Sequence, residues 1–198
     1  MINSRSLSSL GFQPEVFDDP SEYEEQALRD RKEQLPDLAK EGDKARFVER
    51  VIALANTARR YGRAGYYLFG LTDKSQLVGL DRSIGCCYGP PDELETWERV
   101  RQVIREALLA YITPEVDWSF EHGMVKGCSC AHFTVSPVAE GPFQTSRAIG
   151  KLSAGMRFIR IGDSKQPVSP HSRDECWYAA AEVPYVLPSV LGAYLRGA

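Results

Sequence analysis

Ala53-Leu54-Ala55-Asn56-Thr57, followed after a short insert by Gly65-Tyr66-Tyr67-Leu68-Phe69-Gly70-Leu71-Thr72-Asp73, reads as a helix end, a turn, and a buried strand that stops at a glycine and a carboxylate. Upstream, Phe47, Val51, Leu54 and Ala55 recur on one face at helical spacing, while Lys44, Glu49, Arg50 and Arg59 point elsewhere. This pattern predicts an amphipathic helix over 43–60. Arg59-Arg60-Tyr61-Gly62-Arg63-Ala64-Gly65 then reads as a basic, glycine-containing loop. The Tyr, Leu and Phe content of 65–71 suits a pleated, buried strand. Asp73-Lys74-Ser75-Gln76 reads as a hairpin-like turn into a second short strand at 77–80.

Downstream, Pro90-Pro91-Asp92 opens a helix whose apolar stripe is Leu94, Trp97, Val100, Ile104, Leu108 and Tyr111, with Pro114 just past its end. Strand-like segments follow at 116–122, 124–135 and 156–161, the last two separated by a loop rich in Pro, Gly and Ser. Helices are expected at 176–183 and 186–195. Upstream, residues 1–20 read as a flexible arm ending in the turn signal Asp18-Asp19-Pro20. Ser21 and Glu24 fit a capping box, and Arg31-Lys32-Glu33-Gln34-Leu35 reads equally as an exposed strand that Pro36 ends. The elements add up to an α+β fold with a mixed, largely antiparallel sheet flanked by helices. A domain over 21–183 and a C-terminal helix or linker over 184–198 are expected.

The chain has 198 residues, 43% hydrophobic and 26% charged, as in an ordinary globular protein. Its formal net charge of -3 argues against coating nucleic acid over the whole surface. A local basic groove remains compatible with it, because phosphates respond to the local field. No apolar run approaches the ~20 residues of a membrane span. The Ser-rich first ten residues lack the apolar region of a signal peptide, so a cytoplasmic location is expected. Cys86, Cys87, Cys128, Cys130 and Cys176 then read as reduced thiols or metal ligands before disulfides. No Gly-x-x-x-x-Gly-Lys or Gly-x-Gly-x-x-Gly motif is present, which disfavours nucleotide binding through those loops.

Glu25, Asp30 and Asp73 come from separate elements, and such carboxylates meeting at a strand end can hold Mg²⁺ or Mn²⁺. Lys32, two residues past Asp30, is placed to contact a phosphate. By composition alone, Glu25 and Asp30 read as part of a solvated charged face. Arg59, Arg60 and Arg63, with Tyr61 among them, combine guanidinium groups with a stacking surface. Arg157 and Arg160 alternate with Phe158 and Ile161 and are expected on one sheet face. Cys128, Cys130 and His132 alternate and share a strand face. With Cys86 and Cys87 they have the ligand types of a Zn²⁺ site, but no CxxC pair occurs and the preferred reading is core packing.

The ordered set of motifs resembles the Schlafen AlbA-like domain family. Glu25, Asp30-Arg31-Lys32, Ala53-Leu54-Ala55-Asn56-Thr57, Gly70-Leu71-Thr72-Asp73 and Val78-Gly79-Leu80 follow its order. Tyr111-Ile112-Thr113-Pro114 and Phe158-Ile159-Arg160-Ile161-Gly162-Asp163-Ser164 are similar to its later segments. The resemblance implies nucleic-acid binding, with RNA favoured and DNA as the other candidate. More sharply, it implies a metal-dependent endoribonuclease acting on tRNA or other structured RNA. Glu25, Asp30 and Asp73 would then be metal ligands, with Mg or Mn as the ion and Lys32 assisting. Family members often act as dimers, so a homodimer is expected on the same ground. The alternatives are a non-catalytic DNA/RNA-binding module of a larger regulatory or defence protein, and a protein-interaction domain.

Overall fold

The computed structural model describes residues 11–17, 27–90, 92–138, 140–162 and 164–168. Glu25, the capping box at Ser21 and Glu24, and the helices expected at 176–183 and 186–195 lie outside the described residues, as do Cys176 and most of 1–20. The elements run β1 (Arg29–Lys32), α1 (Glu41–Tyr61), β2 (Gly65–Phe69), α2 (Asp81–Cys87), α3 (Leu94–Tyr111) and β3 (Ile112–Thr113). Then come β4 (Trp118–Val125), β5 (Cys128–Val135), β6 (Gln144–Thr145), β7 (Arg157–Ile161) and β8 (Ser164–Val168). Pro14–Phe17 forms a single 3-10 turn ahead of β1.

The main sheet has the order β1-β2-β5-β4, with β1 parallel to β2 and the other pairs antiparallel. Lys126 (φ 48°) and Gly127 (φ 82°) join β4 to β5, and positive φ at both positions suits a two-residue hairpin turn. The sheet alternates cleanly. Tyr67, Phe69, Phe120 and Phe133 face α1 and α3, while Leu68 and Cys130 face the strap formed by Val16 and Phe17. The short pairs β3-β6 and β7-β8 lie outside that sheet, and β7 packs on the opposite side of α1.

α1 is therefore enclosed from both sides: Val48, Val51, Ile52, Ala53, Leu54, Ala55 and Ala58 are all buried. Each fully buried Val, Ile or Leu here contributes roughly 1.5–3 kcal/mol, which makes this helix the centre of the core. Gly62 (φ 62°) ends it in the left-handed conformation, its N–H bonded toward Ala58 and Arg59. Gly65 then lets the chain turn back against the helix, because a Cβ there would lie 2.7 Å from Leu54 Cδ1.

Several local expectations need correction. Residues 59–61 are the last turn of α1 and not a loop, since nothing before Gly62 interrupts the helix. Only 62–64 connects α1 to β2. The strand expected at 77–80 reduces to one bridge between Leu71 and Leu77, and Leu80 leads into α2, which the residue pattern did not suggest. Leu94 is 69% exposed, so the buried stripe of α3 begins at Trp97. No helix of the described residues is long and apolar enough to cross a membrane.

Candidate nucleic-acid interface

β1 is an edge strand of four residues, Arg-Asp-Arg-Lys, and its period of two divides those charges between faces. Arg29 pairs in register with Tyr66 and shares its face. Asp30 pairs with Tyr67 and looks toward α1. Asp30 is buried among three cations: Lys32 Nζ at 3.1 Å, Arg160 Nη1 at 3.2 Å and Arg50 Nε at 3.8 Å. Arg50 also donates from Nη1 to the Tyr67 hydroxyl at 2.7 Å, and burial pushes that phenol's pKa up. Arg160 is only 3% exposed, and its guanidinium donates further to Ala27 O at 3.0 Å and Arg29 O at 3.1 Å. The Lys32 ammonium donates to Arg31 O at 2.6 Å and approaches Asp73 Oδ1 at 3.7 Å. The Arg29 and Arg31 carbonyls of β1 are thus bonded by cationic side chains.

The Asn56-Thr57 pair builds this site from behind. Asn56 donates from Nδ2 to Phe143 O and Phe158 O, each at 2.9 Å, and its Oδ1 accepts the Phe143 N–H at 2.8 Å. The Thr57 hydroxyl donates to Ala53 O and accepts the Arg160 N–H at 2.9 Å. One turn of α1 therefore fixes both β7 and the 141–143 segment, and β7 in turn delivers the Arg160 guanidinium to Asp30. The motif that stood out in the sequence is a positioning device.

Asp30, Lys32 and Asp73, read separately along the chain, come together in space. Asp73 is 91% exposed and reaches the group only through Lys32. Arg59 is buried, with its Cδ beside Gly141, so it is not part of an exposed basic loop. Arg60 and Arg63 are exposed, and the Arg60 guanidinium lies 5.6 Å from the centre of the Tyr61 ring. Arg63 also lines a cavity of about 180 Å³ with Arg29, Tyr66 and Glu15. Arg157 and Arg160 do not share a face: three positions apart on a strand they point oppositely. Arg157 is half-buried and donates to Gln144 Oε1 at 2.9 Å. Arg50, now central, was missed. Its only sequence signal is its place off the apolar stripe of α1.

Of the three carboxylates expected to hold a divalent cation, Glu25 lies outside the described residues. Asp30 already faces three positive groups, and the Lys32 ammonium occupies the space between Asp30 and Asp73. Among the described residues no three His, Cys, Asp or Glu side chains gather as a metal-binding group.

Of the Cys and His residues considered for zinc, Cys130 and His132 are buried in the sheet. Burial pushes the Cys130 thiol up to about 11, while Cys86 and Cys87 lie exposed on α2. The Gln13 N–H donates to His132 Nε2 at 3.2 Å, so the ring proton sits on Nδ1, which pairs with Thr134 Oγ1 at 3.0 Å. Phe12 stacks on the ring at 5.4 Å. Burial lowers the His132 pKa to about 4. A histidine depressed in the folded state costs nothing above its unfolded pKa of ~6.5. Its penalty grows as the pH falls and levels off below the folded value. Stability is expected to drop by roughly 3 kcal/mol between pH 6.5 and 4 on this account. Urea midpoints measured across that range check it: His132→Gln, which keeps an acceptor, should flatten the dependence.

With the geometry in hand, comparison with known families is informative: a family model described as Schlafen, AlbA_2 matches residues 25–169. The chain belongs to the Schlafen AlbA_2 family. In this AlbA_2 domain the α+β fold, with its mixed sheet of mostly antiparallel pairs, is the one that the motif order implied. Among solved structures, the AlbA_2 domain is similar to the DIP2311 protein from Corynebacterium diphtheriae. The identity is 17% and the TM-score 0.44, over 73% of this chain and 22% of that one. The chain therefore spans about a fifth of the length of that protein. A comparison with curated proteins finds no match.

Proposed function

We propose that this Schlafen AlbA_2 domain binds nucleic acid, RNA in preference to DNA, along the cationic rim built on β1 and the C-terminal end of α1. The carrying observation is the cluster at Asp30, where Lys32, Arg50 and Arg160 converge on one carboxylate. Arg60, Tyr61 and Arg63 extend that rim with exposed guanidinium groups and an aromatic ring. Asp30 acts as the anchor that orients the cations. On this reading the domain works in the cytoplasm as a binding module of a larger assembly.

The second reading is a Mg- or Mn-dependent endoribonuclease using Glu25, Asp30 and Asp73 with Lys32. Its support is the family resemblance and the approach of Asp30 and Asp73 to a common ammonium, and it requires Lys32 to leave that position. A labelled tRNA pool incubated with Mn²⁺, Mg²⁺ or a chelator separates the two. Binding is expected to survive chelation. Lys32→Gln should weaken it about threefold to tenfold and lower the salt slope by about one. Asp73→Ala, at a solvent-exposed position, should leave it unchanged or tighter. Metal-dependent cleavage that Asp73→Ala abolishes would replace the binding reading with the nuclease one.

A further inference from the structure

A second concavity of about 480 Å³ lies between the first turns of α1, the middle of α3 and the 146–148 segment. Lys44, Arg99 and Arg147 line it, and among the described residues none of the three has an ion-pair partner. This sets them apart from the Asp30 cluster and from Lys40, Arg46, Arg101 and Lys165, each of which meets a carboxylate. The two acids that share the concavity have partners of their own, one cationic and one neutral. Asp37 pairs with Lys40 at 3.1 Å, and Glu106 accepts from Gln102 Nε2 at 2.7 Å. Arg99 is held in place by donating to Tyr88 O at 2.9 Å, which leaves the rest of its fork directed elsewhere. Arg147 lies with its guanidinium carbon 4.4 Å from the centre of the Tyr111 ring. Three cations against the one acid whose partner is neutral, with a guanidinium layered on an aromatic ring, are groups that hold a phosphate and stack a base.

We propose that this concavity is a nucleotide-phosphate site, with Lys44 and Arg99 taking the phosphate and the Arg147 guanidinium, layered on Tyr111, stacking the base. Its volume suits one nucleotide. A neighbouring cavity of about 270 Å³ shares Asp37 and Cys87 with it and is lined on its far side by Arg50 and Tyr67. The two concavities therefore adjoin along α1. From Lys44 to Arg50 the helix rises only about 9 Å. The occupant is one nucleotide of a strand whose neighbours meet the rim, which rests on the binding reading above, or a free mononucleotide of the same chemistry.

Calorimetric titration of AMP, adenosine and inorganic phosphate, beside anisotropy of a labelled single-stranded RNA, tests the site and names the source. AMP is expected to bind at least about tenfold more tightly than adenosine or phosphate alone. The surface variant Lys44→Gln/Arg147→Gln should lose about tenfold of that affinity. Tyr111→Phe should keep it and Tyr111→Leu should weaken it, with circular dichroism confirming that each variant is folded. A parallel loss of RNA affinity in the double variant supports a strand nucleotide, and unchanged RNA affinity supports a free mononucleotide. If AMP binds the wild type and RNA does not, the site stands and the nucleic-acid reading falls. No AMP binding by the wild type, or equal binding by the double variant, overturns the site whatever the RNA does.

Discussion

Asn56→Ala is expected to destabilise the domain by about 4 kcal/mol, among the largest effects of any single polar substitution in it. The side chain makes three hydrogen bonds to backbone groups of Phe143 and Phe158 in a site that is only 2% exposed. Removing it strands one N–H and two carbonyls away from water, at roughly 1–3 kcal/mol each, with partial relaxation reducing the sum. Asn56→Asp should be nearly as damaging: a carboxylate still accepts from the Phe143 N–H but cannot donate to either carbonyl, and it is itself buried. Urea unfolding with a fitted midpoint and slope measures this. A loss below about 1 kcal/mol for Asn56→Ala would show that these bonds do not anchor β7 and the 141–143 segment.

Asp30→Ala should cost about 3 kcal/mol, for a different reason. Arg160 is fully enclosed, and without Asp30 it loses a carboxylate at 3.2 Å, while the Ala27 and Arg29 carbonyls stay among its partners. Breaking a buried pair by removing one member leaves an uncompensated charge, which costs about 3–5 kcal/mol. Lys32 and Arg50 are partly solvated and add little. The coupling is measured with Arg160→Met and the double variant Asp30→Ala/Arg160→Met. The double variant should be more stable than the sum of the single losses by about 1 kcal/mol or more. Strict additivity would mean that Asp30 and Arg160 do not act as a unit. Asp30→Ala is also expected to weaken RNA binding where the variant remains folded, because the cations lose the carboxylate that orients them.

Much of the fold was legible because it is written in periodicity. Phe47, Val51 and Leu54 announce α1, and Trp97, Val100, Ile104 and Leu108 announce α3. The run from Gly65 to Phe69 announces the strand between them. β8 carries no such signal: Ser164-Lys165-Gln166-Pro167-Val168 is polar and contains a proline, and only pairing with β7 makes it a strand. α2 was equally hidden, because Gly85, Cys86 and Cys87 form no apolar stripe. At the site, the carboxylates and Lys32 could be picked out by chemistry and spacing. Their partners could not. Arg50 and Arg160 lie 20 and 130 residues beyond Asp30, and only the packing of β7 on α1 brings them in. Arg59 misled for a related reason, since an arginine near a glycine looks solvated until Gly141 is seen beside its stem.

The reach of Asn56 also has a consequence for synthesis on the ribosome. Its carbonyl partner Phe158 is 102 residues further along the chain. At ~5–20 residues per second, α1 leaves the ribosome roughly 5–20 s before the segment that satisfies it. During that interval a helix buried along most of its length has one of its two covers missing. A ribosome stalled before residue 158 would present a product that cannot close, however complete its main sheet.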